Sequence, residues 1–147
     1  MGIEEMILVN QLAQGITDMS EGERWFCHLD LEAKRDALRN INFMIINASP
    51  RDEDAAKAIA ISGLKPTFTP CVIASKPNVR QQLGRVTSLP ENELLKGFKL
   101  LIAFLGFVDQ RRRETKPLDI VNHWWHRDLR DASVVEEIRR QYYRGTL

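Results

Sequence analysis

The chain has 147 residues, 44% hydrophobic and 28% charged, with a formal net charge of +1. That length bounds a single domain over residues 1–147, able to bury about two thirds of its unfolded surface without help from a disulfide or metal. The balance excludes a disordered chain, and the small net charge argues against a general polyanion binder.

The charges are unevenly placed along the chain. Residues 1–64 hold six Lys/Arg against eleven Asp/Glu, and residues 65–147 hold fifteen against nine. An acidic and a basic face would favour head-to-tail or partner contacts. The start Met1-Gly2-Ile3-Glu4-Glu5 is acidic where a secretory leader is basic. The longest apolar run, Leu100 to Val108, is far too short to cross a membrane. Cys27 and Cys71 are therefore expected to be free, mostly buried thiols of a cytoplasmic protein, with a bridge between them the less favoured alternative.

Helix signals run from end to end. Ser20-x-x-Glu23, Ser88-x-x-Glu91, Ser133-x-x-Glu136 and, with Asp for Glu, Ser49-x-x-Asp52 read as capping boxes. Pro50, Pro70, Pro77 and Pro90 sit where first helical turns would begin. A first helix is predicted from Ile3 to Gln14, with Ile3, Met6, Ile7 and Leu12 inward and Gly15 ending it. Ser20 opens a short helix carrying Trp25 and Phe26. Asp30 caps a longer one to about Asn47, with Ala37, Leu38, Ile41, Met44, Ile45 and Ala48 on one face. Another runs from about Pro50 to Ser62 and stops at Gly63. Residues 64–77 are irregular, because each proline pushes its predecessor out of the helical region. A further helix is predicted from Pro77 to Thr87.

The longest helix is predicted from about Leu89 to Arg113. Leu94, Leu95, Phe98, Leu101, Ile102, Leu105 and Val108 form one apolar face, and Leu100, Phe104 and Phe107 form much of a second. The loop at Lys116-Pro117 ends it. A terminal helix from Ser133 carries Val134, Val135, Ile138 and the pair Tyr142-Tyr143. Strand signals are nearly absent. The fold class is all-α, a bundle of about six to eight helices around the helix at 89–113.

Several pieces form an ordered set: Asn10-Gln11-Leu12-Ala13-Gln14-Gly15, Ser20-Glu21-Gly22 with Trp25-Phe26, Gly63-Leu64-Lys65-Pro66-Thr67-x-Thr69-Pro70, Leu89-Pro90-Glu91-Asn92-Glu93, Arg111-Arg112-Arg113 and His123-Trp124-Trp125-His126. The set resembles an uncharacterised bacterial family, a domain of unknown function, over residues 7–129. The resemblance implies a bacterial single-domain protein and carries over no catalytic residue or cofactor. The chain after Asp128 reads as an extension.

Two motifs are candidate sites. His123 and His126, three apart, would share a helical face and reach one metal, but no third ligand stands at metal-site spacing. The structural alternative is that Trp124 and Trp125, with Trp25, anchor the bundle while the histidines make ordinary hydrogen bonds. Arg111, Arg112 and Arg113 either complement a helix C-terminus or, with His123 and His126, line an anion or ligand cleft. No phosphate-binding glycine loop and no Gly-x-Ser-x-Gly elbow occurs, so no cofactor and no reaction are assigned. The leading expectation is association, as a homodimer or with another protein, motivated by surplus apolar surface on the central helix and by the terminal pair Tyr142-Tyr143. An enzyme or anion-binding protein using the Arg/His cleft is the alternative. Nucleic-acid binding through Arg127, Arg130, Arg139, Arg140 and Arg144 is weaker, because Asp128, Asp131, Glu136 and Glu137 dilute the field.

Overall fold

The structure, a computed structural model, describes residues 1–62, 85–115 and 124–147. The expected stop at Gly63, the irregular segment 64–77, nearly all of the helix from Pro77, Cys71, the Lys116-Pro117 loop and His123 lie outside the described residues. Six α-helices and no strand occur among those described. They are α1 (Ile3–Ala13), α2 (Met19–His28), α3 (Leu31–Asn47), α4 (Asp52–Ser62), α5 (Leu94–Thr115) and α6 (Ala132–Arg144). Short 3-10 turns stand at Arg85–Ser88, Glu91–Glu93 and Trp124–His126. The all-α expectation holds.

The 22-residue α5 is the central element, packed against α1, α2, α3 and α4. Its apolar residues cover most of its circumference, so it gains most by being surrounded. Leu94, Phe98, Leu101, Leu105 and Val108 are buried, and so are Leu100 and Phe104 from the second face. Phe107 is half-buried. Of the two grounds for association, the second face of the central helix is thus largely covered by the chain's own helices, whereas Tyr142 and Tyr143 are exposed. The α3 face from Ala37 to Ala48 is buried at every expected position.

Helix starts differ from expectation in an instructive way. Asp18 accepts the Ser20 N–H at 3.0 Å, and Asp131 accepts the Ser133 N–H at 2.9 Å and its hydroxyl at 2.7 Å. The caps are therefore the aspartates, and the serines sit inside the first turn. A carboxylate is the stronger acceptor for helix N–H groups, so it displaces a hydroxyl two residues on. Asp30 caps α3 as expected, accepting the Ala33 N–H at 2.8 Å. At α4, Ser49 has a left-handed φ of 56°, unsuited to an N-cap, and Asp54 reaches back to the Arg51 N–H at 3.0 Å instead.

The central helix begins at Leu94, not Leu89. The Arg35 guanidinium donates to the Thr87 and Leu89 carbonyls at 2.7 and 2.9 Å. With the Leu89 carbonyl so engaged, the Glu93 N–H turns to Pro90 at 2.8 Å, which closes a 3-10 turn. Helix α5 also runs two residues past Arg113.

Gly15 ends α1 as expected, with φ 75° and the Ile16 N–H bonded back to the Gln11 carbonyl. Gly106 lets α5 cross α1 closely: a Cβ there would lie 2.6 Å from the Ala13 carbonyl oxygen. A second, smaller core joins Ile3 and Ile7 of α1 to Leu129 and to Val135 and Ile138 of α6. Cys27, expected to be buried, carries an exposed free thiol, because its neighbour Phe26 takes the inward position. Among the described residues, no helix is long and apolar enough to cross a membrane.

Candidate functional site

The arginine triplet fans out over two corners of the bundle. Arg111 Nε donates to both Asp54 carboxylate oxygens at 3.0 and 3.3 Å, and its Nη2 donates to the Ser49 carbonyl at 2.7 Å. Asp54 is 2% exposed, so this pair is buried and hydrogen-bonded on both sides. Arg112 Nη1 lies 3.5 Å from the Ala48 carbonyl. Both side chains thus reach carbonyls just past the C-terminus of α3, those of Ser49 and Ala48, where cations complement the helix dipole. The expected role at a helix C-terminus holds in kind, but the helix served is also α3. Arg113 turns the other way. It pairs with buried Asp109 at 3.1 Å and donates to the Arg127 carbonyl at 3.0 Å.

The Trp124–His126 turn is held where Arg113 points. Gln14, at the end of α1, donates to the Trp125 and Arg127 carbonyls at 3.2 and 2.8 Å and accepts the Leu129 N–H at 3.0 Å. Three of the sequence pieces therefore meet: the one ending Gln14-Gly15, the arginine triplet and the tryptophan pair. Both tryptophans are half-buried and stand edge to face, with ring centroids 5.9 Å apart. Trp125 packs on the main core and Trp124 on the smaller one, so the pair joins the two. Trp25 is half-buried against Phe98, 5.9 Å between centroids. His123 and the His126 side chain lie outside the described residues. Of the five cleft candidates, the structure therefore places Arg111 and Arg112 at the α3–α4 corner and Arg113 beside the tryptophan turn. No group of three or more His, Cys, Asp or Glu side chains among the described residues is placed to share a metal ion.

A cleft of about 600 Å³ opens elsewhere, between α1, α2, α4 and α5. One stripe of α5 forms its floor: Lys99, Ala103, Gly106 and Gln110 recur at helical spacing, flanked by Ile102 and Phe107. Leu12, Ala13 and Gly15 close one side, Met19 and Glu23 of α2 another, and Ile61 of α4 a third. Ala13 and Gly106 meet closely, a Cβ on Gly106 falling 2.6 Å from the Ala13 carbonyl oxygen, and Ala103 contributes only a methyl group to the lining. A larger side chain at Ala103 would reduce the space. Glu23 and Lys99 form an ion pair at 2.5 Å, each side chain a little over one third exposed. Among the described lining residues they are the charged ones.

Sequence reasoning passed over Gln14, Arg35, Asp54 and this cleft. A legible trace of the cleft is the break in the apolar pattern of α5, where polar and small residues fall on one stripe. Gln14 left no local trace, because its partners are more than a hundred positions away.

The perturbed groups lie on the C-terminal side. Asp128 is held below the ordinary aspartate range, first by its hydrogen bond from the Arg130 side chain. Asp131 is lowered by the Ser133 hydroxyl and N–H that it caps. The Arg139 guanidinium is raised by hydrogen bonds to Glu4 and Glu136, a contact that ties α6 to α1.

No curated protein and no solved structure matches the chain. A family model does match, over residues 4–128, and ends just before α6 at the point where the sequence reads as an extension. It covers every element that shapes the cleft and the arginine corners, and the chain belongs to the family of unknown function DUF5958.

Proposed function

We propose that the protein binds a small, largely apolar molecule in the cleft between α1, α2, α4 and α5. The observation that carries this reading is the cleft itself: about 600 Å³, lined mostly by apolar residues, with an ion pair among them. Ligand sites are typically concave, mostly apolar and about 300–1,000 Å³, with few polar groups to orient the occupant. None of the described lining residues is a Ser, Thr, Cys or His. This supports recognition by shape and burial over covalent chemistry on those residues. The family resemblance and the exposed Cys27 thiol support a role in the reducing interior of a bacterial cell.

The test is to fill the space. Ala103→Phe should abolish binding of a neutral fluorescent apolar dye such as Nile red while leaving the far-ultraviolet circular dichroism spectrum helical. A wild-type protein that does not bind the dye, or a folded Ala103→Phe that binds it equally well, overturns the reading.

A further inference from the structure

The ion pair at the rim restricts what kind of head group the cleft accepts. Glu23 Oε1 and Lys99 Nζ are 2.5 Å apart, on α2 and α5, and each is partly open to water. Exposed pairs of this kind hold together weakly, at about 0–1 kcal/mol, so a ligand can separate them at little cost. The larger cost is that of a charge left without its partner. An anionic head that takes Lys99 leaves Glu23 beside a second negative charge as the apolar body displaces water. A cationic head that takes Glu23 leaves Lys99 in the mirror position. Either case strands a charge in a drier environment. A neutral head with a donor next to an acceptor strands neither. Its N–H donates to Glu23, its carbonyl accepts from Lys99, and both protein charges keep a charge-assisted hydrogen bond.

From Lys99 to Gln110 the stripe runs eleven residues along α5, about 16 Å of helix axis. Ala103 and Gly106 lie between, and at Gly106 α1 crosses so closely that a Cβ would meet the Ala13 carbonyl oxygen at 2.6 Å, so Glu23 and Lys99 stand toward one end of the lining. Resting on the reading of the cleft as a ligand site, we infer that the occupant is a net-neutral amphiphile with a carboxamide-type head set between Glu23 and Lys99.

Displacement of bound Nile red by three matched probes tests this at pH 7: octanamide, octanoate and octylamine. Octanamide should displace the dye at about a tenfold lower concentration than either charged probe, a factor of ten being 1.4 kcal/mol. Lys99→Met should move the preference toward octylamine, and Glu23→Gln toward octanoate. Both side chains are partly exposed, so circular dichroism should confirm that these variants stay folded. A charged probe that matches or beats octanamide on the wild-type protein overturns the inference. If the dye binds, Ala103→Phe blocks it and the three heads do not differ, the cleft reading stands and the head-group inference falls. If the dye does not bind at all, both fall together.

Discussion

The Gln14 carboxamide makes three hydrogen bonds to backbone: two donated to the Trp125 and Arg127 carbonyls and one accepted from the Leu129 N–H. Gln14→Ala should lower stability to chemical denaturation by about 2–3 kcal/mol, the sum of modest net hydrogen bonds whose half-buried partners are orphaned. Gln14→Glu should be no milder, because a carboxylate accepts from Leu129 but faces two carbonyls with nothing to donate. Arg111 and Asp54 form the other pairing with clear leverage. Arg111→Ala should cost about 3 kcal/mol by leaving a buried carboxylate without its cation. In a double-mutant cycle, Asp54→Ala should cost far less on the Arg111→Ala background than on the wild type. Equal cost on both backgrounds would show that the two side chains do not depend on each other.

Among the elements, α6 is the one most open to pH. Asp131 caps it, and hydrogen bonds from Ser133 hold the carboxyl below the ordinary aspartate value of 3.8. A carboxylate with a lowered folded-state value stabilises above its unfolded value, and that contribution is lost as pH falls through the folded one. Acidification below about pH 4 should therefore fray the start of α6, seen as a loss of protection of the Ser133 and Val134 amides relative to their intrinsic exchange rates at the same pH. In Asp131→Ala those amides should exchange fast already at neutral pH, with little further change on acidification from this group. Deleting residues 132–147 should lower the melting temperature by exposing Ile3 and Ile7, yet leave the main core around α5 helical, because that core contains no α6 residue. Loss of all helical signal would show that the two cores fold as one unit. The α3 face was legible at every position because a 3.6-residue period is a local pattern. The caps at Asp18 and Asp131 were hidden behind Ser20 and Ser133, because both residue types can cap and only their relative strength decides.

For the molecule as a whole, α5 serves as the interior. Phe104 is fully buried within one chain, so Phe104→Ala should cost about 3–5 kcal/mol in denaturation and leave the mass by light scattering unchanged. A change of mass without that loss of stability would locate Phe104 at a subunit contact instead. The paired tryptophans bind the two cores together, and Trp124→Ala should weaken chiefly the α1–α6 side, which hydrogen exchange can resolve from the main core.

Composition and periodicity alone determined the helical class, the central helix, the buried face of α3 and the end of α1 at Gly15. Each of these depends on residues within a few positions of one another, where backbone geometry dictates which side chains share a face or a cap. Only the tertiary structure decided that Arg111 meets Asp54, that Gln14 meets the tryptophan turn, and that α1 and α5 meet closely at Ala13 and Gly106 beside a cleft that Glu23 and Lys99 help to line. Those partners lie tens to more than a hundred residues apart. Their meeting depends on how close-packed helices cross, and small side chains set that distance without leaving a periodic mark in the chain.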